Sequence, residues 1–294
     1  MSPQHRTGQP EPLCEDLNEY AGFFIRPARL LDAGRSEYQD YEVWDTEQFG
    51  RLFRLDGCFM TSERDEFFYH ENLIHVPAVT HPAPRHALII GGGDGGSAEE
   101  LFKHPSMEQV VLVELDAKVV EIARTHLSIV HHGALDDPRL ELCVEDGLRY
   151  VRERAPADGR RFDLIVLDLT DPVGPAEALY EEAFFRDCKA LLSAHGALVL
   201  HIGAPIFQPQ RLVRLMHNLR AVFRKVCPYF TYIPLYGSQW GMACASDTLD
   251  PTVLSEAEVD RRIGARGLSQ LQYYNGAVHR AQFALPNYLR ELLG

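Results

Sequence analysis

The sequence predicts an α/β protein in which a mostly parallel sheet follows a small N-terminal β domain. From residue 84 onward, short apolar strands alternate with helical segments, which is typical of a parallel sheet. Before that point the pattern is one of strands and hairpins. The 294 residues suffice for a main domain and a smaller one, so we expect a flexible tail at 1–15, the β domain at 16–78 and the α/β domain at 79–294.

The N-terminal region has the pattern of paired strands. Residues 38–48 alternate in polarity, and residues 49–57 predict a strand that ends in an Asp-Gly turn. Residues 58–67 follow as the hairpin partner. Apolar side chains at helical spacing then predict a short helix over 65–77.

Strands and helices alternate along the remaining chain. The predicted strands are 86–92, 109–116, 140–146, 162–169, 196–203, 229–234 and 240–246. The predicted helices are 97–104, 117–127, 175–192 and 207–223. In such a sheet, ligands bind outside the carboxyl ends of the strands.

The charge balance excludes several classes of partner. The chain has 29 Lys and Arg against 42 Asp and Glu, a formal net charge of -13, which disfavours nucleic acid and anionic membranes as partners. The sequence shows neither a bilayer-spanning apolar run nor a secretory leader, so we expect a cytoplasmic protein. Its six cysteines never form a CxxC pair, which argues against a zinc ribbon or a disulfide scaffold.

A glycine-rich loop joins the first strand of the α/β region to its helix. Gly91, Gly93 and Gly96 match the GxGxxG pattern, and Glu114 ends the next strand about 20 residues later. Together these features predict a nucleotide site in which the carboxylate accepts hydrogen bonds from ribose hydroxyls. The alternative is a tight turn with no ligand.

Two further carboxylates indicate which nucleotide is bound. Asp94 lies inside the glycine loop, where it would repel a pyrophosphate, so an adenosine that carries a positive charge, such as a sulfonium nucleoside, fits better. Asp146 follows the third strand, where it could accept a hydrogen bond from an adenine amino group. The alternative is that Asp146 only caps the next helix.

An acidic loop follows the fourth strand. Asp168 and Asp171 lie three residues apart. The segment that follows is predicted to be irregular because it contains Pro172, Gly174 and Pro175. We expect this segment to form a lid over the site. Two carboxylates that face a cleft suit a cationic substrate, and one of them can serve as a general base toward an ammonium. The alternative is that both are turn and cap residues.

Several motifs occur in a familiar order over most of the chain. They are YQD at 38–40, LDG at 55–57, DEFFYHENLIHVP at 65–77, GGGDGG at 91–96, Glu114 followed by Asp116, EDG at 145–147 and DPVGPAEALY at 171–180. In these motifs the sequence resembles the polyamine aminopropyltransferases, the spermidine synthase family. The resemblance implies a methyltransferase-like Rossmann domain with a mostly parallel seven-stranded sheet after the small β domain, in a homodimer or homotetramer.

The resemblance also implies the substrates and their sites. Decarboxylated S-adenosylmethionine would be a co-substrate, with no cofactor and no metal. The residues matched to donor binding are Gln39, Gly91, Gly93, Asp94, Glu114, Asp146 and Gly147. The residues matched to acceptor binding are Tyr69, His70, Asp171 and Tyr236. Asp168 matches the base that deprotonates the attacking amine, and Tyr236 a residue that orients that amine.

The chemistry agrees with these assignments. A sulfonium is already an activated electrophile, and its leaving group, methylthioadenosine, is neutral, so the reaction needs no metal. The barrier lies in presenting an uncharged amine, because an alkylammonium with a pKa of about 10.4 is almost fully protonated at neutral pH. A carboxylate base, in-line positioning and a dry site supply what is missing.

Three positions depart from the usual spermidine synthase pattern. Leu169 stands where serine is common, His201 stands where glutamine is common, and the loop at 234–240 is one residue shorter. The DLxDP motif at 168–172 and the shortened loop resemble those of thermospermine synthases, whose acceptor is spermidine. We expect putrescine as the acceptor, with spermidine, agmatine and cadaverine as alternatives.

Other classes of protein stay open as alternatives. A methyltransferase would bind S-adenosylmethionine, whose carboxylate Asp94 should repel. A polyamine-binding paralogue without activity is disfavoured by the presence of both Asp168 and Tyr236. Asp94 also argues against a dehydrogenase that binds NAD.

Overall fold

A computed structural model describes residues 11–171 and 174–294. The N-terminal strands form a two-stranded antiparallel hairpin, β1–β2, and a four-stranded antiparallel sheet in the order β3–β4–β5–β6. These strands are β1 (Leu13–Asn18), β2 (Ala21–Ile25), β3 (Arg29–Arg35), β4 (Asp40–Thr46), β5 (Gly50–Leu55) and β6 (Cys58–Ser62).

The predicted hairpin between residues 49 and 67 is confirmed as the β5–β6 pair. Its turn residues Asp56 and Gly57 have φ angles of 46° and 82°, as the two central positions of a type I′ turn require. Strand β1 was not predicted, and it includes residues 13–15, which the sequence assigns to the flexible tail. Residues 1–10 of that tail lie outside the described residues.

The main domain is built on a seven-stranded sheet in the order β12–β13–β11–β10–β7–β8–β9. Strands β7 to β11 run parallel, and β13 is antiparallel to both of its neighbours, so the predicted fold class is confirmed. The strands are β7 (His86–Gly91), β8 (Gln109–Glu114), β9 (Leu140–Val144), β10 (Phe162–Asp168), β11 (Leu192–Gly203), β12 (Lys225–Ile233) and β13 (Ser238–Ser246).

Helices cover both faces of this sheet. They are α1 (Glu66–Thr80), α2 (Gly96–Phe102), α3 (Ala117–His126), α4 (Ser128–His131), α5 (Gly147–Arg149), α6 (Ala155–Ala157), α7 (Glu182–Leu191), α8 (Pro209–Val222), α9 (Glu256–Arg266), α10 (Gly276–Gln282) and α11 (Asn287–Leu293). A π-helical stretch at Tyr150–Arg154 joins α5 to α6, and short 3₁₀ turns lie at Ala134–Asp136 and Pro251–Val253. None of the helices in residues 11–171 and 174–294 has the length and apolar character of a membrane span.

The predicted helix over 175–192 is wrong in one respect, because it is interrupted. Gly174–Tyr180 is a 3₁₀ helix, and α7 begins only at Glu182. The Tyr180 side chain turns inward, where its hydroxyl donates to the Thr170 carbonyl at 2.8 Å. Pro172 and Val173, in the predicted lid, lie outside the described residues, so the lid stays a prediction.

Helix α1 brings the two parts of the chain together at the site. This helix is buried over almost its whole length, so its polar and apolar residues are not separated onto opposite faces. Glu71 accepts backbone hydrogen bonds from Gln272, Tyr273 and Tyr274 at 2.5–2.9 Å, so the C-terminal segment is fastened to this helix. Helix α1 also packs against β10, β11, β12 and β13, which fixes the side chains at positions 69 and 70 relative to the sheet.

Candidate active site

The carboxyl ends of three neighbouring parallel strands define the site. Gly91 ends β7, Glu114 ends β8 and Asp168 ends β10. Because β7 lies between β8 and β10, the glycine loop that follows it lies between the two carboxylates. The structure therefore brings together the residues that the sequence predicts at the strand ends.

Asp168 is largely buried, with 10% of its side chain exposed. Its Oδ2 accepts a hydrogen bond from the Ser97 hydroxyl at 2.7 Å, and its carbonyl accepts one from the Gly92 amide at 2.8 Å. Burial raises the pKa of Asp168, against the opposing effect of the nearby His70 charge. A carboxylate with a raised pKa is a better base than an exposed one.

His70 lies at the centre of an acidic cluster made of Glu66, Asp94 and Asp168. Its Nδ1 is 2.8 Å from the Glu66 carboxylate, and its Nε2 is 3.7 Å from Asp94 Oδ2 and 4.0 Å from Asp168 Oδ2. Burial opposes the charged ring, but the three carboxylates outweigh it and raise the pKa of His70 to about 10. The cluster therefore holds one positive charge already and retains an excess of negative charge.

Three residues of this cluster are close enough together to be considered as metal ligands. Ligand atoms of His70, Asp94 and Asp168 lie within 4.8 Å of one another. His70 would have to lose its proton to bind a metal, and its raised pKa opposes that loss. The donor set suits an ammonium group better, because such a group donates hydrogen bonds to carboxylates without displacing a proton.

The glycine loop is shaped by the side chains around it. Gly91 has a φ of 80°, and a Cβ there would overlap the Asp168 carbonyl. A Cβ on Gly96 would overlap the His70 ring, with its Nε2 only 2.7 Å away. The backbone amide of Gly93 donates to Glu114 Oε2 at 3.1 Å. These glycines thus let the loop approach the carboxylates and the imidazole closely.

Gly96→Ala is expected to destabilise the protein by about 1–3 kcal/mol, because the added methyl group must displace the His70 ring or the loop. The matched control is Gly264→Ala in the interior of α9, where nothing lies within 4 Å of the new Cβ. That change should stabilise by up to about 1 kcal/mol through helix propensity. Urea denaturation measures both, and equal effects at the two sites would contradict the close contact with His70.

Glu114 and Gln39 lie on the side predicted for the donor. Both Glu114 oxygens accept backbone hydrogen bonds, from Gly93 at 3.1 Å and from Asp116 at 2.9 Å. Burial raises the pKa of Glu114 to about 7, although these two bonds oppose the rise. Gln39 donates to Asp116 Oδ2 at 3.1 Å, which ties the loop between β3 and β4 to the end of β8.

Asp146 and Gly147 begin the helix after β9. Asp146 is the N-cap of α5, because its Oδ1 accepts a hydrogen bond from the Leu148 amide at 2.8 Å. A Cβ on Gly147 would lie 2.5 Å from Ile90 Cγ2, so the helix must begin with glycine to pack against β7. The contact of Asp146 with adenine stays a prediction.

Aromatic side chains line the side of the site predicted for the acceptor. The ring centroid of Tyr236 lies 6.2 Å from that of Tyr69 and 4.8 Å from that of Trp240. The Tyr236 hydroxyl donates to the Met60 carbonyl at 2.8 Å, which leaves its oxygen able to accept a hydrogen bond from an amine. Asp65 accepts from the Leu235 amide at 2.7 Å and so holds this loop in place.

Asp171 has a cationic partner that the sequence analysis did not identify. Its Oδ2 lies 2.6 Å from Arg211 Nη1. Burial raises the pKa of Asp171, but Arg211 and the neighbouring groups outweigh this and lower it below its ordinary value. His201 lies nearby with its Nε2 2.9 Å from the Leu169 carbonyl, and burial lowers its pKa to about 4, so its ring is neutral.

Sequence reasoning also missed Glu66, Ser97 and Glu15 at this edge. Glu66 lies one helical turn before His70, and Ser97 directly follows the glycine loop, so both positions offered a signal. Glu15 lies on β1, where its carboxylate accepts from the Phe59 amide at 2.6 Å. Burial and, to a smaller extent, the nearby Asp171 charge raise the pKa of Glu15, and nothing in its local sequence indicates that these two carboxylates are close.

Comparison with known proteins decides the family. Residues 66–255 match the family described as the spermine/spermidine synthase domain. Residues 18–63 match the family described as the spermidine synthase tetramerisation domain. The chain belongs to the spermine/spermidine synthase family. The family predicted from the sequence motifs is therefore confirmed.

Members of this family with similar sequences are named polyamine aminopropyltransferases. The one from Nitrosomonas europaea is 48% identical over 298 residues, covering 100% of this chain and 90% of that protein. The one from Klebsiella pneumoniae subsp. pneumoniae is 39% identical over 280 residues, covering 95% and 96%. The chain is thus an enzyme of the aminopropyltransferase class.

Solved structures of spermidine synthases have the same fold. One, crystallised in complex with the transition state analogue AdoDATO, superposes with a TM-score of 0.89 at 34% identity, covering 99% of this chain and 96% of that one. The spermidine synthase from Thermotoga maritima superposes with a TM-score of 0.86 at 33% identity, covering 99% and 95%. The mixed sheet and the small N-terminal β region are therefore shared family features.

Proposed function

We propose that this aminopropyltransferase moves the aminopropyl group of decarboxylated S-adenosylmethionine to putrescine, giving spermidine and methylthioadenosine. The observation that carries the proposal is the acidic cluster of Glu66, Asp94 and Asp168 at the carboxyl edge of the sheet. Three carboxylates around one imidazolium attract further cations. Both substrates of the proposed reaction are cationic.

The donor would lie across the ends of β7, β8 and β9. Glu114 would accept hydrogen bonds from the ribose hydroxyls, Asp146 one from the adenine amino group, and Asp94 one from the aminopropyl ammonium. Gln39 would close the ribose end through Asp116. S-adenosylmethionine adds a carboxylate next to its ammonium, and Asp94 would repel that group, so the decarboxylated donor is favoured.

The transfer is a substitution at carbon. Asp168 would take a proton from the acceptor ammonium, and the amine nitrogen would then attack the methylene next to sulfur. The new C–N bond forms as the C–S bond breaks, and the electron pair stays on sulfur in neutral methylthioadenosine. Tyr236 would accept a hydrogen bond from the attacking amine and so align it.

Metal removal is expected to leave the rate of methylthioadenosine release unchanged, because the sulfonium is already activated and a carboxylate is the base. The measurement is the initial rate after dialysis against EDTA, with and without added Mg²⁺ or Zn²⁺. A rate that falls and returns with a divalent cation would contradict this and would assign a metal to His70, Asp94 and Asp168.

Acceptor identity is tested by initial rates with putrescine, cadaverine, agmatine and spermidine at saturating decarboxylated donor, with products read by mass spectrometry. We expect putrescine to give the highest kcat/KM and one methylthioadenosine for each amine modified. A higher kcat/KM for spermidine would contradict putrescine as the acceptor and favour a thermospermine or spermine synthase.

We also infer that the enzyme is a homodimer or homotetramer. Residues 18–63 match a domain described as one of tetramerisation, and the β1–β2 hairpin and strand β3 expose large apolar side chains. Tyr20, Phe24 and Leu30 are 86%, 49% and 45% exposed in the single chain. Light scattering on the eluting protein should give the mass of two or four chains, and a monomer would contradict this.

A further inference from the structure

The far end of the acidic loop contains an ion pair within the chain itself. Arg211, on α8, places Nη1 2.6 Å from Asp171 Oδ2 and 3.1 Å from Gln208 Oε1. The guanidinium carbon lies 5.9 Å from the centroid of the Tyr180 ring. The arginine side chain is 13% exposed and the carboxylate 37% exposed, so the cation is the more enclosed member of the pair.

The other groups at this end do not cancel the charge of Arg211. His201 is neutral, because burial and the nearby guanidinium lower its pKa to about 4. Glu15 approaches from β1, and burial raises its pKa to about 7 despite the Phe59 hydrogen bond, so it is only partly ionised at neutral pH. Asp171 is the ionised carboxylate here, and it contacts Arg211 only through Nη1, while Nε and Nη2 of the guanidinium have no hydrogen-bond partner among the described residues.

The ion pair of Arg211 and Asp171 would limit the number of positive charges on an acceptor that binds here. In the proposed reaction a diamine would place one ammonium near Asp168 and a second toward Asp171, where the Arg211 ion pair would weaken but not reverse the attraction. A triamine such as spermidine would extend a further ammonium beyond that point, toward the guanidinium. Like charges a few ångströms apart in a partly enclosed site repel strongly enough to change affinity by about tenfold or more.

We propose that Arg211 determines acceptor specificity by repelling acceptors with a third ammonium, so that the site favours diamines. This inference rests on the proposed aminopropyl transfer and deepens it. It also bears on the features shared with thermospermine synthases, because a fixed cation at this end opposes spermidine as an acceptor. Arg211 is a specificity-determining residue here, with no part in the proton transfer.

The test compares kcat/KM for putrescine and spermidine in the wild type, Arg211→Gln and Arg211→Lys, all at saturating decarboxylated donor. We expect the wild type to favour putrescine. Arg211→Gln should raise the ratio of spermidine to putrescine by about tenfold or more, mainly through a lower KM for spermidine. Arg211→Lys keeps the charge and should keep the wild-type preference, which a purely structural role of the arginine would not predict.

Two further measurements make the result decisive. The affinity for methylthioadenosine reports whether each variant is folded. If Arg211→Gln does not fold, the double variant Asp171→Asn/Arg211→Gln removes both charges of the ion pair. Its ratio of kcat/KM for spermidine to kcat/KM for putrescine should also rise. An unchanged ratio in a folded variant without the arginine would overturn the role of Arg211. A wild type that transfers aminopropyl to none of the amines would instead overturn the proposed function itself.

Discussion

Asp168→Asn is expected to lower kcat by about 10²–10⁴-fold, the usual contribution of a general base. Asparagine has nearly the same shape and keeps an oxygen that can accept the Ser97 hydrogen bond, which is 2.7 Å long in the wild type. It cannot take a proton from the acceptor ammonium. Nearly all of that amine is charged at neutral pH, so loss of the base removes the reactive species.

The nucleoside site should survive this change. Methylthioadenosine carries no aminopropyl ammonium, so its affinity should stay within about twofold of the wild type while turnover is lost. Ser97→Ala is the matched control, because it removes the hydrogen bond to Asp168 and leaves the carboxylate; its kcat should fall far less. Turnover by Asp168→Asn near the wild-type rate would remove Asp168 as the base.

Glu114→Gln is expected to weaken methylthioadenosine binding by about 10- to 100-fold, the cost of one or two hydrogen bonds to a charged group. Both carboxylate oxygens already accept backbone hydrogen bonds at 2.9–3.1 Å, and the ribose hydroxyls would use the remaining lone pairs. The amide of the variant has only one oxygen. Its NH₂ group would face a backbone N–H, and two donors cannot form a hydrogen bond with each other. Chemistry in the bound complex should slow much less than binding weakens.

The same residue predicts how affinity depends on pH. Burial raises the pKa of Glu114 to about 7, so the carboxylate form dominates above pH 7 and the protonated form below it. Binding through the carboxylate must then expel a proton, and the Kd for methylthioadenosine should rise as pH falls below about 7, by up to about tenfold per unit. In Glu114→Gln this dependence should disappear.

Titration calorimetry at pH 6 and pH 8 measures these effects with a ligand that has no ammonium of its own. Glu121→Gln is the control, since that glutamate is exposed on α3 and pairs only with Lys118 in the described structure. Unchanged affinity in Glu114→Gln, or equal pH dependence in the two variants, would contradict the ribose contact.

Much of the site follows from the sequence because parallel strands end at one edge of a sheet. Glu114, Asp146 and Asp168 were predicted at three strand ends, and the topology places β8, β9 and β10 on either side of the glycine loop. The spacing of Gly91 and Gly96 likewise indicated the loop that now contacts Asp168 and His70. Local pattern and connection rules are sufficient for such positions.

Contacts between distant segments were not predictable in the same way. Arg211 pairs with Asp171 across 40 residues, and only the packing of α8 beside β11 places the two together. Strand β1 is polar and short, and it is held by long-range bonds such as that from Arg54 to the Cys14 carbonyl at 2.8 Å. The inward turn of Tyr180, which interrupts the predicted helix, depends on Thr170 and His201.

Aminopropyl transfer is tested most directly by a competition between two donors. Purified protein is incubated with putrescine and equal amounts of decarboxylated and ordinary S-adenosylmethionine, and mass spectrometry identifies the group added to the amine. We expect aminopropyl addition alone, with one methylthioadenosine released per spermidine formed. A methylated amine, or no product while the donors bind, would contradict the proposed role of the acidic cluster around His70.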